Sequence, residues 1–226
     1  MPMIQPTGIG MTSARTRERL VQRLRDQGIR NEAVLERFRV LPRHSFVDEA
    51  LATRAYEDNA LPIGFGQTIS QPYIVARMTE ALLEKNTPRK VLEIGTGCGY
   101  QTAVLAPLVN YVYSIERIAA LLDKTRQRFK ELQLKNVNTR HGDGFKGWIA
   151  HAPYDAILMA AAPEVMPTAL LEQLAPGGRL IAPVGADGRQ ELVRITRRPD
   201  RRDARDEFVT EKLGLVAFVP LLKGLE

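Results

Sequence analysis

Three glycines at alternate positions, Gly95, Gly97 and Gly99, interrupt an apolar run that starts at Val91, and an acid, Glu93, sits just before them. Glycine has no Cβ, so the chain can turn tightly there and approach a ligand more closely than other residues permit. A second apolar run, Tyr111 to Ile115, delivers Glu116 about 20 residues beyond the turn, where a carboxylate can accept both hydroxyls of a ribose. A third, Val137 to Thr139, leads into His141-Gly142-Asp143-Gly144. Asp143 can accept from an adenine amino group while Gly142 and Gly144 admit a flat base. The same Asp-Gly pair is also the chemistry of an Asx turn.

The spacing Gly-x-Gly-x-Gly differs from the Gly-x-Gly-x-x-Gly that seats a dinucleotide pyrophosphate on a helix N-terminus. Glu93 would repel a diphosphate and suits a ligand with cationic groups. S-adenosyl-L-methionine, which carries a sulfonium and an ammonium, is therefore the expected cofactor rather than NAD. Its expected contacts are Glu93, Gly95, Gly97, Glu116, Asp143 and Gly144. The competing reading is a strand-turn-helix corner whose glycines only permit close packing.

These residues need a frame. Thr12 and Ser13 can cap a helix running to about Gln27, ended by Gly28, and Asn31 can cap a second, closed by Pro42. From Phe46 to Gln71 no period holds; interleaved Phe46, Leu61, Ile63 and Ile69 mark an ordered, functional loop. A helix follows from about Pro72 to Glu84, with proline suited to its first turn. Strands are then expected near 90–94, 111–115, 136–140, 155–160, 178–183, 190–196 and 214–219, with helices near 100–109, 117–133 and 165–174. This rhythm predicts an α/β fold: a doubly wound, mainly parallel seven-stranded sheet with an N-terminal helical extension. The last two strands read as a hairpin joined by a charged loop, which adds an antiparallel member. Residues 1–11 read as a flexible tail and 12–226 as one domain, with 12–71 a helical cover and substrate loop and 72–226 the cofactor-binding core.

Composition narrows the partners. The 226 residues carry a formal charge of +6, with a pI of about 9.6, which raises nucleic acid as a partner. The densest basic segment, Arg194 to Arg205, is broken by Asp200 and Asp203, lacks an aromatic residue for stacking and holds Pro199. It reads as a solvated hairpin loop, and no nucleic-acid partner is expected. One cysteine and three scattered histidines give no metal-ligand spacing, and no apolar run reaches the roughly 18 residues of a membrane span. The expectation is a metal-free, cytoplasmic monomer, with Cys98 a packing residue. The exit of the fourth strand, Ala160-Ala161-Ala162-Pro163, leaves room for a substrate and supplies neither nucleophile nor base.

Several segments go further than the glycine turn. Leu61-Pro62-Ile63-Gly64-Phe65-Gly66-Gln67-Thr68-Ile69-Ser70-Gln71-Pro72, Arg140 to Gly144, Leu174-Ala175-Pro176-Gly177-Gly178 and Phe218-Val219-Pro220-Leu221 resemble the protein-L-isoaspartate O-methyltransferases of bacterial type. The glycine turn is common to class I methyltransferases, whose Rossmann-like fold is thereby implied; the Gly-Gln-Thr-Ile-Ser-Gln-Pro segment and the Phe-Val-Pro-Leu ending narrow the family. Phe65 departs from the polar residue usual in related sequences and bears on peptide preference.

The resemblance implies methyl transfer from S-adenosyl-L-methionine to the α-carboxylate of L-isoaspartyl residues in damaged proteins and peptides. The ester then returns through succinimide towards aspartate. The family's active-site serine falls on Ser70, with Thr68 beside it. Ser70 also stands where a helix N-cap would, and Phe218 to Leu221 could equally be a last strand in the core or a border of the peptide channel. The alternatives are a class I methyltransferase acting on RNA or a small molecule, and a cofactor-binding protein without catalysis. The intact Thr68-Ile69-Ser70 segment speaks against both.

Overall fold

The computed structural model describes residues 10–186, 188–199 and 207–226. The expected tail lies outside these except for its end, where Gly10–Thr12 forms a 3-10 turn. Ser13, rather than Thr12, accepts from Thr16 N and caps α1 (Ala14–Asp26). Asn31 accepts from Ala33 N and Val34 N and caps α2 (Glu32–Val40). Leu20, Val21 and Leu24 of α1 and Val34, Leu35 and Phe38 of α2 share one buried cluster with Tyr100, Ala103 and Val104. The two helices thus lie over the start of α4 (Tyr100–Leu105). Both are amphipathic covers whose apolar faces are buried while their charged faces meet water.

The segment expected as an irregular loop contains a hairpin. Strands β1 (Leu61–Gly64) and β2 (Gln67–Ile69) pair antiparallel, with Leu61 opposite Ile69 and Pro62 opposite Thr68. Phe65 and Gly66, at φ +54° and +65°, make the connection, as a two-residue turn with both central residues left-handed requires. A phenylalanine at the first of these positions, in place of the usual Asn or Asp, hid the turn. Helix α3 (Pro72–Leu83) begins directly after it.

The main sheet runs in the order β5-β4-β3-β6-β7-β8-β9. Its strands are β3 (Lys90–Ile94), β4 (Tyr111–Glu116), β5 (Val137–His141), β6 (Tyr154–Met159), β7 (Leu174–Val184), β8 (Gln190–Arg197) and β9 (Phe208–Val216). All neighbours up to β7 are parallel, and β8 is antiparallel to both β7 and β9. Strand order reverses at β3, and the crevice at the carboxyl ends beside such a switch point is where α/β sheets bind ligands. Helices α5 (Ala119–Glu131) and α6 (Thr168–Glu172) complete the crossovers.

Boundaries shift in three places. The fourth helix is α only to Leu105 and tightens to 3-10 over Ala106–Leu108, where Pro107 lies. Helix α6 is shorter than expected, because β7 already starts at Leu174. The last strand is Phe208–Val216 rather than 214–219. Its charged residues disguised it: Glu211 pairs with Arg194 at 2.8 Å, and Lys212 pairs with Glu191 across β8. Arg194 and Arg197 of the basic segment are likewise strand residues, the latter paired with Glu207 at 2.8 Å. Residues 200–205 of that segment lie outside the described residues.

Candidate active site

At the switch point an open cleft of about 840 Å³ is lined from five directions. The glycine turn forms its floor, Glu116 ends β4, Gly144 follows β5, Ala160 and Ala161 follow β6, and Thr68 and Ser70 come from the hairpin. Val219 to Leu222 close the remaining side, because Phe218 to Leu221 leave the sheet. There Ala162 N donates to Val219 O at 2.9 Å and Leu221 N donates to Ala162 O at 2.8 Å. Those C-terminal residues border the cleft instead of extending the last strand.

The three glycines do different work. Gly95 and Gly97 have φ of +91° and +55°, and a Cβ on either would meet neighbours only at 3.5 Å. Their glycine requirement is conformational. Gly99, at φ +83°, is crowded: a Cβ there would fall 2.5 Å from the Phe129 ring and 2.7 Å from Thr125. Helix α5 also grips the turn, Thr125 Oγ1 donating to Gly97 O and Arg128 Nη1 to Cys98 O, both at 2.7 Å.

Glu116 is buried and receives Gly97 N at 2.8 Å on one oxygen and Arg117 N and Ile118 N on the other. A carboxylate has about four acceptor sites, so capacity remains for a hydroxyl on the oxygen facing the turn. A bare glycine cradle joined to a buried carboxylate at the end of the next strand fits an adenosyl ligand. Glu93 is placed otherwise. It lies wholly buried behind the turn, accepting from Thr102 Oγ1 and Ser114 Oγ at 2.5 Å, while Ser114 Oγ also meets Thr96 Oγ1 at 2.7 Å. Its other oxygen makes no hydrogen bond, and burial pushes its carboxyl up to about 7. Asp143 also stands off the lining, accepting from Phe145 N at 2.9 Å as an Asx turn does and from Gly224 N at 3.1 Å.

Thr68 and Ser70 line the cleft and also a second hollow of about 510 Å³, shared with Ala60, Gln71, Ile74, Ala160 and Phe218. Ser70 is not a helix cap. Gln71 occupies the N-cap position of α3 without a side-chain bond, and the exposed donor Tyr73 N is satisfied by Asp58 Oδ1 at 3.1 Å. The Ser70 hydroxyl stays available. Asp58 and Arg43, which donates to Ser70 O at 2.7 Å, are contributors that sequence reasoning missed. No local pattern marks either, since both act across more than ten residues of chain. Cys98 lines the cleft but is buried, and that burial pushes its thiol up. Among the described residues, no group of three His, Cys, Asp or Glu could hold a metal ion, and no helix is long and apolar enough to cross a membrane.

Known proteins match this chain over nearly its whole length. The protein-L-isoaspartate(D-aspartate) O-methyltransferase family matches residues 15–226. The protein-L-isoaspartate O-methyltransferase of Halorhodospira halophila is 58% identical over 217 residues, covering 96% of each chain. That of Alcanivorax borkumensis is 58% identical over 222 residues, covering 98% of each. A solved protein-L-isoaspartate O-methyltransferase superposes with TM-score 0.81 at 26% identity, over 92% of this chain and 67% of the other. A Plasmodium falciparum structure described as a putative protein-L-isoaspartate O-methyltransferase in complex with S-adenosyl-L-homocysteine gives TM-score 0.76 at 24% identity, over 92% and 99%; this second likeness concerns the fold.

Proposed function

We propose, for a chain that belongs to the protein-L-isoaspartate O-methyltransferase family, that Ser70 and Thr68 hold the acceptor carboxylate while Gly95, Gly97, Glu116 and Gly144 hold the donor. The enzyme methylates the α-carboxylate of L-isoaspartyl residues in damaged proteins and peptides, using S-adenosyl-L-methionine, and so begins their repair. The donor supplies an electrophilic methyl group on a sulfonium. A carboxylate oxygen forms the new bond to carbon as the carbon–sulfur bond breaks, and no proton moves.

The chain's part is alignment. A peptide α-carboxyl ionises at about 3.3–3.7, so the nucleophile needs no general base, and the cleft lining contains neither His nor Lys. What the site must supply is orientation, and donors that replace water around the carboxylate. The unpaired hydroxyls of Ser70 and Thr68 suit that, and the N-terminus of α3 just beyond adds a favourable field. In this reading Glu93 acts from behind the turn by shaping it through Thr102 and Ser114, and Asp143 by setting the loop that carries Gly144.

The observation that carries the assignment is that Thr68 and Ser70 line both hollows, the one that holds the glycine turn and the one beside it. Action in the cytoplasm belongs to the same reading; its support is a single cysteine, Cys98, which is free and buried. Ser70→Ala should lower kcat/KM for an isoaspartyl peptide by about 10- to 100-fold with the Kd for S-adenosyl-L-homocysteine, read by calorimetry, unchanged within about twofold. Glu116→Ala should weaken that Kd. Equal loss of both functions in Ser70→Ala, or loss of neither, removes Ser70 from acceptor positioning.

A further inference from the structure

Arg43 is completely buried and its partners are backbone carbonyls and an aromatic ring. Its Nε donates to Ala55 O at 2.8 Å and its Nη2 to Ser70 O at 2.7 Å, with Asn59 O further off at 3.5 Å. The guanidinium centre lies 4.8 Å from the centroid of the Tyr100 ring, and Tyr100 lines the cleft. The Nη1 group completes no hydrogen bond. Asp58, whose charge acts on Arg43, spends its oxygens on Tyr73 N and Gln27 Nε2. A cation buried without a paired carboxylate is costly to folding, and a neutral side chain could bridge two loops at less cost.

We propose that Arg43 is the positioning residue for Ser70. The planar guanidinium donates in two fixed directions, so it ties Ser70 O to Ala55 O in one geometry. Asp58 fixes Tyr73 N, three residues on. Between these anchors the Ser70–Gln71 junction has its carbonyl turned into the protein, which leaves the Ser70 hydroxyl to the cleft. Lysine keeps the charge and can reach one carbonyl, but it lacks the fork that holds both.

This inference rests on Ser70 positioning the acceptor, and a double-mutant cycle separates the two claims. Arg43→Lys, with Arg43→Gln as a second variant, is placed in the wild-type and Ser70→Ala backgrounds. The readouts are kcat and KM for an isoaspartyl peptide and Kd for S-adenosyl-L-homocysteine. A serine misplaced by about an ångström loses alignment, so Arg43→Lys should lower kcat about tenfold or more, with the S-adenosyl-L-homocysteine Kd unchanged within about twofold. In the Ser70→Ala background the same change should lower kcat less than about twofold, since residues acting through one another are not additive. A full further loss in that background overturns the proposal. So does a parallel loss of cofactor affinity, or failure of both variants to fold, either of which makes Arg43 a support of the fold. If Ser70→Ala alone costs nothing, the Ser70 assignment fails first and separately.

Discussion

Glu93 shows how far a residue's type reaches and where its surroundings take over. Its place beside the turn was legible from sequence, but its neighbours were not: Thr102 lies on α4 and Ser114 on β4. Desolvation raises its carboxyl to about 7, against the pull of the two hydroxyls and with a push from Glu116. A carboxyl whose folded-state pKa lies above its unfolded value favours folding when protonated. That contribution is complete below the ordinary carboxylate range and is lost as pH rises through about 7. Glu93→Gln stays neutral throughout. Its unfolding free energy, measured by urea titration, should therefore gain on the wild type by on the order of 3 kcal/mol between pH 5 and pH 8. A gap that does not change with pH would mean that Glu93 is not held out of water as the geometry indicates.

The glycine turn and the β1–β2 hairpin behave differently as elements. The turn was legible because its strand, glycines and following helix are consecutive. The division among its glycines was not, since the Phe129 ring against Gly99 comes from a helix a full crossover away. Gly99→Ala must accept a left-handed backbone and an overpacked contact, and should cost about 2–4 kcal/mol of unfolding free energy. Gly97→Ala meets only Ile63 Cδ1 at 3.5 Å; it should cost about 1–2 kcal/mol and show mainly as weaker S-adenosyl-L-homocysteine binding. Equal destabilisation by the two would contradict the distinction. The hairpin escaped the sequence because its strands are short and hold Pro62, yet it carries Thr68 and leads directly into Ser70, the residues proposed to hold the acceptor.

For the molecule as a whole, the alternation of apolar runs and helical periods was enough to read a seven-stranded, mainly parallel sheet. Order along the sheet was not readable: β8 and β9 continue it consecutively, which depends on contacts between distant strands. The closing of the cleft was legible only as one of two alternatives for Phe218 to Leu221, and the structure takes the one that borders the cleft. The chain's last residues return to the cofactor edge, Glu226 N donating to Arg117 O at 2.8 Å and Ala119 N to Glu226 O at 2.7 Å. The basic pI alone would point to RNA, but Arg194 and Arg197 of the densest basic segment face paired carboxylates within the sheet. The cleft thus opens between the sheet's switch point on one side and the β1–β2 segment on the other, where the proposed donor and acceptor sites meet.

The most direct test of that arrangement is methyl transfer from labelled S-adenosyl-L-methionine to a peptide with one L-isoaspartyl bond, beside its twin with a normal aspartyl bond and an RNA control. Label should enter the isoaspartyl peptide alone and leave it on mild base treatment, as a methyl ester does. Base-stable label, equal labelling of the normal twin, or label in the RNA would contradict a cleft built to align an isoaspartyl α-carboxylate.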